Sequence, residues 1–229
     1  MTGPVKRAYN SARRSKQAAA TRREILDAAR RLFERQGYAA TTIGAIADEA
    51  GVAPKTVYVA FESKAGVLRA LWNLLLRGDE GETPVGDRDW YREALDAPDP
   101  ADQLRLNARN SRAGKERVGA IAEVIRIAAP SDQELAELWE RIQTDYHANQ
   151  RAIVESLAAK DALAPGLDVD RATDVLWTLN HPSLWQLLAR ERGWTPDDYE
   201  RWCADTAAAQ LLSAPPPPSA ARRGGRARG

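Results

Sequence analysis

Between about residue 18 and residue 212 the chain repeats its apolar residues at three- and four-residue spacing and hardly alternates them anywhere, and Gly or Pro cuts the pattern at intervals. Apolar residues at i, i+3, i+4 and i+7 share one face of a helix, whereas a half-buried strand needs a period of two. The sequence therefore predicts an all-α fold, without internal repeats. With 229 residues, 44% of them hydrophobic, there is enough apolar material for a sizeable core. No run of about 18 apolar residues occurs, and the cluster Lys6, Arg7, Arg13, Arg14 and Lys16 has no apolar stretch behind it, so neither a membrane span nor a signal peptide is expected. The single Cys203 excludes an internal disulfide framework and a cysteine-clustered metal site, which points to a reducing, cytoplasmic setting.

Thr21 and Glu24 form a capping box that opens the first predicted helix, with Ile25, Ala28, Ala29, Leu32 and Phe33 on one stripe and Gly37 at its end. Ile43, Ile46, Ala47 and Ala50 give the second helix its buried face, Gly51 makes a tight turn, and Pro54 starts the third. A fourth opens at Ser63 and runs to about Gly78. Beyond it the spacing predicts longer helices at about 100 to 113, 115 to 129, 132 to 160, 168 to 191 and 196 to 212. Ser131 begins a second capping box, Thr195 and Pro196 open the last helix, and Pro182 is expected to break the one before it. Residues 1–17 are expected to be a disordered basic arm, 18–78 a first domain, 79–212 a second, and 213–229 a disordered Pro/Arg-rich tail.

The net charge of +1 hides an asymmetry: residues 1 to 78 hold 14 Lys and Arg against 6 Asp and Glu, while residues 79 to 212 hold 15 against 26. A basic first module suits a polyanion, because phosphate neutralisation is the sequence-independent part of nucleic-acid affinity; an ordinary solvated basic face is the alternative. Placed on the third helix, Val57 and Phe61 pack inward and leave Lys55, Thr56 and Tyr58 outward. Two short helices joined by a glycine turn form a helix-turn-helix, whose second helix enters the major groove. Lys55 and Thr56 can address base edges, Tyr58 and Thr42 can donate to phosphate, and Lys64 adds a cation at the next helix start.

The runs ILDAARRLFERQGY and TTIGAIADEAGVAPKTVYVAFESKAGVL resemble the N-terminal domain of TetR-family (tetracycline-repressor-type) transcriptional regulators over about 50 contiguous residues. The resemblance implies a homodimer that reads a roughly palindromic double-stranded DNA operator. It also implies a C-terminal domain that binds a small-molecule effector and thereby weakens DNA binding. Thr42, Lys55, Thr56, Tyr58 and Lys64 match the family's DNA-contacting places, whereas Ala53 replaces the Ser or Thr often found before the recognition helix and Gly44 a position often basic or bulky.

In the second domain the candidate effector residues are Arg126, Trp139, Tyr146, Asn149 and Trp177. Tyr146 and Asn149 lie on the predicted apolar stripe of residues 132 to 160, where polar groups bind either a ligand or nearby backbone and water. Arg126 is either a pocket cation or an ion-paired surface residue. Leu176, Leu179, Tyr199, Trp202, Cys203 and Thr206 are the candidate dimer interface, since their helices carry more apolar circumference than one subunit needs; a central position in a monomer is the alternative. Neither His147 nor His181 has metal-ligand spacing, and no cofactor is expected. The expectation is thus a DNA-binding repressor released by a small molecule and not an enzyme. The rivals are a helical enzyme or cofactor-binding protein with an incidental basic segment, and a regulator whose second domain docks a protein.

Overall fold

The computed structural model describes residues 5–78 and 85–213, with the backbone alone for 5–13. Residues 1–4 of the expected arm and 214–229 of the expected tail lie outside the described residues. Ten α-helices follow one another among those described: α1 (Val5–Ala40), α2 (Ile43–Glu49), α3 (Pro54–Phe61), α4 (Lys64–Arg77), α5 (Asp89–Asp96), α6 (Pro100–Ala128), α7 (Gln133–Ala159), α8 (Val169–Leu179), α9 (Pro182–Trp185) and α10 (Pro196–Leu211). The only pairing of strand type among them is an isolated bridge between Leu163 and Leu212.

α1 starts at Val5 and passes through Thr21, so the predicted capping box lies inside a helix, and part of the predicted arm is helical. Gly37 interrupts α1 with φ 74° and ψ 179°, a conformation that glycine adopts at no Cβ cost. α6 is one helix where the sequence predicted two. Gly114 costs it about 1 kcal/mol of propensity, but a long buried face including Leu104, Ala108, Ile121 and Ile125 holds it together. α7 is capped by Asp132, which accepts from the amides of Glu134 and Leu135, instead of by Ser131. Ser131 belongs to the 3₁₀ turn Ala129–Ser131 and donates to the carbonyl of Ala128. α5 was not foreseen at all. Thr195 caps α10 as expected, and α8 stops at Leu179, with His181 capping α9 at Pro182.

One core cluster joins Ile25, Phe33, Ile46, Val57 and Leu68 of α1 to α4 with Ile121 and Ile125 of α6 and Leu135 and Leu138 of α7. The small basic module and the end of the long helices are therefore packed as one body. Two further clusters fill the far end, one of α5, α6, α7, α8 and α10, and one around Trp185, Tyr199 and Cys203. Among the described residues no helix is long and apolar enough to cross a membrane, and no group of three or more His, Cys, Asp or Glu could hold a metal ion.

Candidate functional site

α2 and α3 form a helix-turn-helix. Thr42 caps α2 by accepting from the Ala45 amide at 3.1 Å, Gly51 turns the chain at φ 67°, and the Val52 amide returns to the carbonyl of Ala47 at 2.9 Å. Pro54 presets the first turn of α3, which has no side-chain cap because Ala53 precedes it. Val57 and Phe61 are buried and anchor α3, so Lys55, Thr56 and Tyr58 face solvent beside Val59, which is 77% exposed. Thr42 is also exposed. Four of the five predicted contact residues thus face solvent. Lys64 does not: its Nζ donates to the carbonyls of Tyr38 at 2.8 Å and Thr41 at 2.9 Å and sits 4.0 Å from the Tyr38 ring centroid. Burial lowers its pKa, with Asp132 opposing. We expect Lys64→Met to lower the stability of the chain by about 1–3 kcal/mol, because two carbonyls lose a charged donor, and thermal unfolding measures it.

Two residues absent from the sequence reading fix α3. Arg22 of α1 donates from Nη1 to the carbonyl of Ala60 at 2.6 Å and places its guanidinium 4.0 Å from the Phe61 ring centroid. Gly66 of α4 lets the carbonyl of Phe61 approach so closely that a Cβ would stand 2.1 Å from it. The small module is in turn tied to α7. Tyr38 Oη donates to Asp132 at 2.7 Å, Ser63 Oγ to Glu134 at 3.2 Å, and Arg69 pairs with Glu134 at 2.6 Å. Desolvation and the bond to Asp132 push the Tyr38 phenol well above its ordinary value.

The predicted effector residues divide. Trp139 of α7 and Trp177 of α8 flank His181, with ring centroids 6.3 Å and 5.0 Å away, so the structure brings these two together. Burial depresses the His181 imidazole, with Arg126 and Lys115 adding to it. Tyr146 turns inward: its hydroxyl donates to the carbonyl of Asn180 at 2.5 Å and lies 3.0 Å from Ser111 Oγ. Arg126 is exposed and forked onto Glu123 at 2.6 and 2.8 Å, the ion-paired alternative for that residue. Asn149 is half-buried and its backbone carbonyl accepts from Tyr91, while the next residue, Gln150, occupies the core and receives Asn107 at 3.0 Å. Along this side of α7 the inward row runs Leu138, Ile142, Tyr146, Gln150 at four-residue steps, which displaces Asn149 sideways.

Three of the predicted dimer residues are internal. Leu176, Tyr199 and Cys203 are at most 2% exposed within the single chain, Leu176 on α8 packed between α7 and α10 and Tyr199 and Cys203 on α10 packed against α6, and have no surface left to offer a partner. Leu179, Trp202 and Thr206 remain partly exposed. The sequence reading also passed over Lys115. It lies on the buried row of α6, four residues after Ser111 and four before Gly119, a signal visible only once 100–128 is taken as one helix.

Residues 25–71 match the family of bacterial regulatory proteins described as tetR family. The chain is 34% identical over 118 residues to the HTH-type transcriptional regulator AcrR of Shigella flexneri, a match spanning 50% of this chain and only 52% of that protein. Its fold resembles that of NalD, a secondary repressor of the MexAB-OprM multidrug efflux pump in Pseudomonas aeruginosa, with a TM-score of 0.64 at 21% identity over 85% of this chain and 98% of that one. It resembles equally the structure of a SmeT–triclosan complex, with a TM-score of 0.64 at 20% identity over 84% and 92% of the two chains. What the chain shares with the tetR family of bacterial regulatory proteins is thus the stretch of residues 25–71 that carries the helix-turn-helix, and the chain spans about half the length of the AcrR protein it matches.

Proposed function

We propose that this protein is a sequence-specific DNA-binding transcriptional regulator, a repressor that acts as a homodimer and is released from its operator by a small organic molecule. The observation that carries the reading is α3: a short helix, anchored by Val57, Phe61 and Arg22, that holds Lys55, Thr56 and Tyr58 outward behind a glycine turn. In this reading Lys55 and Thr56 address base edges, and Tyr58 and Thr42 donate to phosphates. The relatives are regulators, which favours this reading over the enzyme. Leu179, Trp202 and Thr206, together with Leu187 at 47% exposure, are the surface we assign to the second subunit. A regulator works where the DNA is, so the cytoplasm follows.

Release needs a route from the effector domain to α3, and the links from Tyr38, Ser63 and Arg69 to the start of α7 supply one. A guest that shifts α6 or α7 would move Asp132 and Glu134, and with them the ends of α1 and α4 that seat the recognition helix.

Selection of duplexes from fragmented genomic DNA, followed by mobility shifts, tests the reading. The expected product is one short, approximately two-fold symmetric site whose affinity falls steeply with salt. Tyr58→Phe should weaken that binding about 30-fold, the effect of losing one phosphate hydrogen bond of about 1 kcal/mol in each of the two subunits. Recovery of no preferred site at moderate salt would remove the regulator reading.

A further inference from the structure

Lys115 is 5% exposed in the middle of α6, and its ammonium nitrogen contacts Ser111 Oγ instead of a carboxylate. It stands 5.3 Å from the centroid of the Tyr199 ring. Ser111 passes the contact on to Tyr146 Oη at 3.0 Å. One turn further along the same face, Gly119 supplies no side chain: a Cβ there would lie 3.7 Å from Lys115 Cβ, 3.5 Å from Trp185 Cδ1 and 3.7 Å from Trp185 Nε1. Trp185 is 2% exposed, and its indole N–H is buried without an acceptor. Lys115 and an indole donor without an acceptor therefore border the same glycine, and the hydroxyls of Ser111 and Tyr146 continue the polar row from the amine.

The surroundings lean the same way. Of the seven buried side-chain nitrogens and oxygens without a partner among the described residues, five are donors, and all lie on α6 to α9 or the turn between α8 and α9. Amide nitrogen and oxygen can be exchanged in assignment, but Arg117 Nε and the indoles of Trp177 and Trp185 are donors under any assignment. A core with surplus donors and an amine that meets a hydroxyl but no carboxylate accommodates an acceptor-rich, negatively charged guest and rejects a cation. Directly after Trp185 the chain runs as a π-helical stretch, Gln186–Glu191, in which Gln186 donates to the carbonyl of Gly119 at 3.2 Å. Such wider turns recur at functional sites, and this one is the least regular element bordering the cluster.

We infer that Lys115, Trp185, Ser111 and Tyr146 form the polar end of the effector site and take the carboxylate of an organic acid with an apolar, aromatic body. This rests on the proposed release by a small molecule and names its chemical class. The carboxylate would accept from Lys115 Nζ and Trp185 Nε1, while Trp139, Trp177 and His181, the residue after the Asn180 whose carbonyl accepts from Tyr146, offer ring surface for the body. Burial holds the Lys115 amine down at about 7, so an arriving anion also captures a proton that the empty site does not fully retain.

Matched pairs of probes test it: benzoate against benzamide, 1-naphthoate against 1-naphthamide, and indole-3-acetate against indole-3-acetamide, titrated into the full-length wild-type chain by tryptophan fluorescence and thermal shift. At least one acid is expected to bind about tenfold or more tightly than its neutral twin, the margin of a charge-assisted contact. Lys115→Met should abolish that preference, and Trp185→Phe should weaken the acid while retaining it. Equal binding of the twins, absence of acid binding at millimolar concentration, tighter binding of the corresponding amines, or an undiminished preference in Lys115→Met would each overturn the inference. Operator selection with the wild-type chain, run without any probe, reads the regulator reading separately, so the two failures are distinguishable.

Discussion

Gly66→Ala is expected to destabilise the protein by about 3 kcal/mol or more, at the upper end of what one added carbon costs in a packed interior. A Cβ at this position meets the backbone oxygen of Phe61 at 2.1 Å, its carbonyl carbon at 3.2 Å and Ser63 Oγ at 3.2 Å. Backbone cannot swing aside as a flexible side chain does. The link from α3 to α4 is already tight: Glu62 sits at φ 67° with its amide on the carbonyl of Tyr58, and the amide of Ser63 returns to Phe61 at 2.7 Å. Phe61 is also 5% exposed in the core and holds the Arg22 guanidinium over its ring. The methyl group must therefore push the C-terminal turn of α3 away from α4, and the recognition face turns with it. The melting temperature should fall by about 6–12 °C for a chain of this size, and operator affinity should drop well below that temperature. A Gly66→Ala chain that melts within about 2 °C of the parent and binds DNA normally would show that the close approach is not required.

Nothing in the letters KAGVL announces that contact. Helical periodicity says which residues of α4 face inward, but how near another backbone passes is a property of two elements at once. The helix-turn-helix was legible because its determinants are local: Gly51 at positive φ, Pro54 in a first turn, and Val57 and Phe61 one turn apart. The same holds for Thr195 and for the break at Pro182, whose conformational preferences are their own. Where two neighbours compete for one role, locality fails. Ser131 and Asp132 are both good caps, and the 3₁₀ turn before α7 takes the serine and leaves the aspartate to cap.

The helices after α4 were harder for a related reason. Over 27 residues of α7 a small error in phase accumulates, so Asn149 was placed where Gln150 lies. Leu176, Tyr199 and Cys203 are apolar or weakly polar on helices that are apolar on more than one side, and a sequence does not say which side the chain covers with its own helices. Lys115 was hidden differently. A lysine reads as surface by default, and only a continuous α6 sets it on the row shared with Ala108, Gly119 and Ala122.

That buried lysine yields the last expectation: Lys115→Met should make the protein more stable at neutral pH, and the advantage should shrink as the pH rises. Desolvation, with a weaker opposing contribution from Cys203, brings the folded-state pKa of Lys115 from 10.5 down to about 7. Between those two values the unfolded chain holds a proton that the folded chain releases, so the lysine's contribution makes stability rise with pH across that window and level off below about 7. The slope approaches ~1.4 kcal/mol per pH unit for one proton, and methionine, similar in volume and uncharged, removes it. The groups facing the amine are Ser111, Tyr146, Tyr199, Cys203 and, at longer range, His181 beside Arg126 and Glu123. Burial raises the Cys203 thiol, which acts in the opposite direction at higher pH, but the thiol is present in both proteins and largely cancels in the comparison. Denaturant unfolding of the two chains at pH 7 and pH 8.5 should therefore show their difference narrowing by about 2 kcal/mol. Parallel pH profiles would mean that the Lys115 amine stays protonated in the folded core, and a variant less stable than the parent at pH 7 would mean that its contact with Ser111 outweighs the cost of burying it.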